Sequence, residues 1–68
     1  MIVVKYNTNI YNPVIIEKAI KDYVGLCKIS VIYHKNDAIC TFGSTKIDKA
    51  LVANEFDNYL IELMQNKK

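Results

Sequence analysis

The sequence predicts an α+β domain with the element order β-α-β-β-α, in which two helices cover one face of a three-stranded sheet. Three observations predict this fold class. Short segments rich in β-branched and aromatic residues favour strands, two longer segments carry apolar residues at helical spacing, and turn-forming residues separate them. A chain of 68 residues with 51% hydrophobic content is the size of one such domain. We therefore treat residues 1–68 as a single domain, too short for a fold such as the (β/α)8 barrel of ~250 residues.

The first strand is predicted at residues 2–6, where Ile-Val-Val-Lys-Tyr favours extended backbone. Asn12 and Pro13 then indicate a helix start, with Asn as the N-cap and Pro in the first helical position. This helix is predicted over about residues 13–24, and Gly25 is the expected stop. Its apolar residues recur at helical spacing: Ile16, Ala19, Ile20 and Tyr23.

A hairpin is predicted next, with a second strand over residues 26–34 and a third over residues 38–42. The segment 43–45, Gly-Ser-Thr, is expected to end the third strand. If Asn36 and Asp37 form a two-residue loop, one face of the hairpin collects the apolar side chains. In that register Tyr33 opposes Cys40 and Val31 opposes Phe42, and the core face comprises Cys27, Ile29, Val31, Tyr33, Cys40 and Phe42.

The second helix is predicted from about residue 47 to residue 64. Asp48 is a plausible N-cap, with Ser44 and Thr45 as alternatives. Residues 65–68 form a polar tail. The predicted buried stripe of this helix comprises Val52, Phe56, Tyr59, Leu60 and Leu63.

The opposite face of the sheet is predicted to be mixed rather than polar. It carries Val3, Lys5, Lys28, Ser30, Ile32, His34, Ile39 and Thr41. Exposed branched residues on such a face indicate that a second copy or another partner covers it. The candidate partner-binding residues here are Val3, Lys5, Ile32, His34 and Ile39. A free strand edge is expected at residues 2–6 or 38–42, where an extended peptide could add a strand.

Charge and hydropathy exclude several other functions. The chain has nine basic residues, all lysine and all scattered among seven acids, so no basic block for nucleic acid forms. A weak lysine-based nucleic-acid binder is retained only as an alternative. No apolar run reaches the ~18 residues of a membrane span, and the N-terminus lacks a signal-peptide pattern. We expect a cytoplasmic protein with reduced cysteines.

No catalytic, cofactor or metal site is predicted, and we expect a protein that is not an enzyme. Cys27 and Cys40 fall on the apolar face as small core residues, too far apart along the hairpin for a disulfide. His34 is expected to be exposed at a strand end. Glu55 and Glu62 lie seven residues apart on one side of the second helix, where a solvated surface is the simpler interpretation.

The second helix also carries a family resemblance. Residues 55–61, Glu-Phe-Asp-Asn-Tyr-Leu-Ile, resemble the Glu-Phe-x-Asn-x-Leu-Ile segment of HxsD-like proteins, the small components of His-Xaa-Ser peptide-modification systems. The first helix, with Ile16 and Ala19-Ile20, is similar to the family's first helix, and the similarity spans roughly residues 2–64. Glu55 and Asn58 are the informative matches, which adds them to the candidate partner-binding residues.

The resemblance implies a non-catalytic accessory role in maturing a ribosomally made peptide. Such proteins occur with radical-SAM enzymes, so the implied partner is a precursor peptide or that enzyme. A homodimeric interaction module is the alternative from a different class, in which the mixed sheet face pairs with its own copy.

Overall fold

A computed structural model describes residues 2–45 and 48–65, and it has the predicted element order β-α-β-β-α. The elements are β1 (Ile2–Asn7), α1 (Pro13–Asp22), β2 (Cys27–His34), β3 (Asp37–Thr45) and α2 (Lys49–Gln65). The predicted α+β fold class is confirmed. The predicted helix start at residue 47 and the tail residues 66–68 lie outside the described residues.

The three strands form one antiparallel sheet in the order β1-β3-β2. β1 therefore lies beside β3, and β1 and β2 are the two edges. The prediction of a free edge at residues 38–42 is wrong, because this segment belongs to the central strand and is paired on both sides. The alternative free edge, at residues 2–6, is present as β1.

β3 extends beyond its predicted end, through an irregularity in its pairing with β2 beside Gly43. The pairing of β2 with β3 shifts between Cys27 and Ile29, where β3 contributes one more residue than β2, as in a β-bulge. A Cβ atom at Gly43 would lie 3.4 Å from the main-chain oxygen of Lys28. That distance is an ordinary van der Waals contact, so the position does not require glycine, and β3 continues to Thr45.

The hairpin register differs from the predicted one by two residues. His34 pairs with Asp37, so the two-residue loop is Lys35-Asn36. Lys35 adopts φ 56°, the left-handed conformation that tight hairpin turns require at their first central position. Val31 therefore opposes Cys40 instead of Phe42. Because side chains alternate with a period of two, a shift of two residues keeps the same side chains on the inner face. The prediction that Tyr33 belongs to the core is wrong, because it pairs with Ala38 near the turn and is 45% exposed.

α1 begins as the sequence predicts but ends earlier. The side chain of Asn12 accepts a hydrogen bond from the main-chain nitrogen of Val14 at 2.8 Å, which caps the helix. The last helical residue is Asp22, followed by Tyr23 as the C-cap with φ −95° and ψ 0°. Gly25 has no positive φ, so the helix does not end on a left-handed glycine.

α2 begins at the predicted cap, since the carboxylate of Asp48 accepts a hydrogen bond from the main-chain nitrogen of Ala50 at 2.8 Å. Most of its predicted stripe is buried, with Tyr59 and Leu63 packed at the margin of the core. Ala53 is also buried, although it lies outside the predicted stripe. Gln65, predicted to belong to the tail, is the last helical residue.

The core lies between the inner face of the sheet and the two helices, and the ring of Phe56 occupies its centre. This side chain is fully buried. Its ring centroid lies 5.3 Å from those of Phe42 and Tyr23, in edge-to-face geometry, and 6.2 Å from that of Tyr6. Phe56 thus contacts an aromatic residue from β1, from β3 and from the end of α1. Aromatic pairs of this kind stabilise a core beyond their buried area.

Three tyrosine hydroxyls connect the layers at the margin of this core. Tyr6 donates to Asp57, Tyr59 donates to Asp22, and Tyr33 donates to Glu17. Burial, together with the acceptor carboxylate, raises the pKa of Tyr6 and raises the pKa of Tyr33 to about 12. Each hydroxyl therefore keeps its proton and remains a donor at neutral pH.

We predict that Phe56→Ala destabilises the domain by about 3–5 kcal/mol, because it leaves a cavity where three aromatic contacts meet. Leu51→Ala is the matched control on the same helix, since Leu51 is 53% exposed. Its effect should stay within about 0.5 kcal/mol. Urea unfolding followed by far-UV circular dichroism measures both changes. Equal losses for the two variants would contradict the central role of Phe56.

Candidate functional site

The open edge of β1 is defined by which of its main-chain groups face away from β3. The main-chain nitrogen of Thr8 donates to the oxygen of Asn36 at 2.7 Å, which continues the β1–β3 register by one residue. Hydrogen-bonded pairs recur at every second residue of an antiparallel ladder. Tyr6 and Val4 therefore bond to β3. The N–H and C=O groups of Val3 and Lys5 point outward.

The hairpin independently indicates which residues of β3 hydrogen-bond to each neighbouring strand. His34 and Asp37 close a two-residue loop, and the residues that close such a loop exchange hydrogen bonds. Counting by two along the ladder, Ile32 bonds to β3, and the main-chain groups of Val31 and Tyr33 face outward. In β3 the odd-numbered residues thus bond to β2 and the even-numbered residues bond to β1.

The two edges differ in regularity. β1 pairs with β3 without interruption from Ile2 to Asn7, whereas the bulge disturbs β2 near its start. Bulges twist an edge and make it a poorer template for another strand. The open edge of β1 ends at Asn7. The carbonyl of Asn7 accepts hydrogen bonds from the nitrogens of Ile10 and Tyr11 at 3.0 and 2.8 Å, so it is already occupied. The regular open stretch therefore runs from Ile2 to Tyr6.

Five of the predicted site residues do lie together on the outer face of the sheet. Lys5, Ile39 and Ile32 form one row across the three strands, and Val3 lies diagonally from Ile39. Ile32 is 67% exposed and Val3 is 57% exposed, while Ile39 is partly covered. His34 is exposed at the end of β2, opposite Asp37. The outer face therefore combines a small apolar centre with a charged margin.

Glu55 and Asn58 lie elsewhere, on the exposed side of α2 in the helical layer. Together with Glu62 they line an open cleft of about 220 Å³ whose other walls are Tyr23 and Tyr59. The sheet separates this cleft from the outer face, so the predicted residues form two distinct surfaces. Sequence spacing placed Glu55 and Glu62 on one side of the helix, but the two tyrosine walls depend on how α1 packs beside α2.

The cleft is acidic and partly aromatic. The rings of Tyr23 and Tyr59 are 5.6 Å apart, and the hydroxyl of Tyr59 donates to Asp22. That hydrogen bond and the nearby ammonium of Lys18 lower the pKa of Asp22. The acidic residues that line the cleft itself are thus Glu55 and Glu62, whereas Asp22 beside it is paired with Lys18 at 3.1 Å.

Cys27 and Cys40 are free thiols, both buried in the core. Burial raises the pKa of Cys40 to about 11, which keeps the sulfur protonated and unreactive at neutral pH. The structure supports the predicted role of both as small core residues. Within residues 2–45 and 48–65 there is no group of three or more His, Cys, Asp or Glu side chains placed to hold a metal ion. Over the same residues no helix is both long and apolar enough to cross a membrane.

No protein-family model, curated protein or solved structure matches the chain.

We predict that both thiols are protected from alkylation in the folded protein, because neither sulfur is accessible to solvent. Iodoacetamide labelling at pH 8, followed by intact mass, should be at least ~100-fold slower in buffer than in 6 M guanidinium, where the chain is unfolded and its thiols have ordinary pKa values. Labelling of either cysteine at similar rates in both solvents would contradict the buried position.

Proposed function

We propose that this protein is a non-catalytic accessory module of a ribosomal-peptide maturation system, which binds an extended precursor peptide as an added strand along β1. The observation that carries the proposal is the uninterrupted β1 edge, with the main-chain groups of Val3 and Lys5 facing outward. In strand addition, main-chain hydrogen bonds supply affinity and alternate side chains supply selectivity.

The resemblance of residues 55–61 to HxsD-like proteins supplies the peptide-maturation context. Under this proposal a radical-SAM enzyme is the second partner, and Glu55 and Asn58 on the helical layer are available to it while the peptide occupies the sheet edge. The two separate surfaces support such a division, in which one small domain contacts two partners. The working compartment is the cytoplasm, where free cysteines stay reduced.

The single experiment for this proposal is a titration of the fluorescently labelled precursor peptide encoded beside the gene, followed by anisotropy. We expect binding to the wild-type protein and its loss in Val3→Pro, because proline removes the outward N–H and its ring obstructs the incoming strand. Fold stability should change little, since proline is tolerated on an edge strand where the N–H faces solvent. Val3→Thr, which keeps the N–H and the branched Cβ, is the matched control and should bind like wild type.

Absence of binding by the wild-type protein, both alone and with the neighbouring radical-SAM enzyme, would overturn the proposal. Equal binding by Val3→Pro and Val3→Thr would place the peptide elsewhere than β1. Urea midpoints of the two variants show whether a loss of binding reflects unfolding.

A further inference from the structure

We infer that the β1 edge selects an extended segment that has an acidic residue opposite Lys5, a branched residue opposite Val3, and apolar residues at the intervening positions. This inference deepens the proposed function and rests on it, since it names the chemical class of the peptide. It follows from the side chains that β1 presents on its two faces and from the charges around them.

The incoming strand is antiparallel to β1. Every existing pair in the sheet is antiparallel, and antiparallel pairs are slightly more stable per residue than parallel ones. The hydrogen bonds of the new strand go to Val3 and Lys5, so the residues opposite these two have their own N–H and C=O groups directed at β1. Their side chains lie on the outer face, beside those of Val3 and Lys5.

The intervening residues of the peptide face the helical layer. They lie beside Ile2 and Val4, which are half-buried at the margin of the core, and beyond these comes the buried ring of Tyr6. An apolar side chain at these positions extends the core and covers the remaining exposed surface of Ile2 and Val4. A charged side chain there would lose hydration without gaining a partner.

Charge on the outer face favours an acidic side chain in the peptide. Among the described residues, the ionisable side chains of this face belong to Lys5, Lys28, His34 and Asp37. Asp37 lies on β3, diagonally from Lys5 and one strand further from the open edge. The lysine on the edge strand itself is thus the nearest charge to an added strand. Opposite charges directly across a strand pair stabilise it, whereas like charges in the same place destabilise it.

The same lysine disfavours a second copy of this chain at the edge. A two-fold pairing centred on Lys5 would set the lysines of the two copies directly opposite each other. A pairing centred on Val4 would set them on a diagonal, where long side chains still interact. A pairing centred on Val3 separates the lysines, but among the described residues only Val3 then exchanges main-chain hydrogen bonds with its copy. A partner peptide with a carboxylate opposite Lys5 bonds to both Val3 and Lys5, so we assign the edge to a peptide rather than to a homodimer.

The test uses two synthetic hexapeptides, acetyl-Thr-Val-Glu-Val-Thr-Val-amide and the same sequence with Lys in place of Glu, each titrated by NMR chemical-shift perturbation. We expect wild type to bind the Glu peptide about two- to five-fold more tightly at low salt, and the preference to weaken as salt rises. Lys5→Glu should reverse the preference. Lys21→Glu on α1 changes the net charge equally at a distant exposed site and should leave the preference as in wild type.

Main-chain methylation of the Glu peptide tests the register. Methylation of the Glu nitrogen should abolish binding, because that N–H points at β1, and methylation of the following Val nitrogen should be tolerated. Equal affinities for the Glu and Lys peptides, or a preference that Lys21→Glu shifts as much as Lys5→Glu, would overturn the inferred chemistry.

Two further outcomes separate this inference from its rivals. If neither hexapeptide binds but the natural precursor peptide does, the inference is wrong and the proposed function stands. If light scattering shows a dimer that Val3→Pro dissociates, or if RNA competes at the same edge, another occupant takes the place of the peptide and the inference is overturned.

Discussion

The pairing of β3 with both of its neighbours is the constraint on which the rest of the structure depends. A strand in the middle of a three-stranded sheet directs alternate main-chain groups to the left and to the right. Once the loop at Lys35-Asn36 fixes which residues bond to β2, the residues that bond to β1 are fixed as well. The outward groups of Val3 and Lys5 are thus a consequence of a turn at the other end of β3.

The packing around Phe56 determines which face of the sheet is buried. Its ring contacts Phe42, Tyr6 and Tyr23, so a single residue of α2 holds the helices against one face. The outer face is left with Val3 and Ile32 exposed. In a domain of this size little free energy is in reserve, and these two exposed side chains add little buried apolar area to it.

The sequence predicted the elements, the caps at Asn12 and Asp48, and the inner face of the sheet, because these depend on local propensity and on side-chain period. It missed the register of the hairpin for the same reason: a shift of two residues preserves every face, and the pattern of apolar residues cannot distinguish the two alternatives. The identity of the central strand, and with it the open edge, depends on pairing across the sheet, which the apolar pattern of β3 does not encode. The cleft at Tyr23 and Tyr59 likewise required the packing of α1 against α2.

The direct measurement is amide hydrogen exchange of the free protein, residue by residue, by NMR. We predict that Val4 and Tyr6 in β1 exchange slowly while Val3 and Lys5 exchange rapidly. In β2, Ile32 should be protected while Val31 and Tyr33 are not, since only inward N–H groups have partners. Uniform protection along β1, or protection of Val3 and Lys5 in place of Val4 and Tyr6, would contradict an open edge and the binding surface built on it.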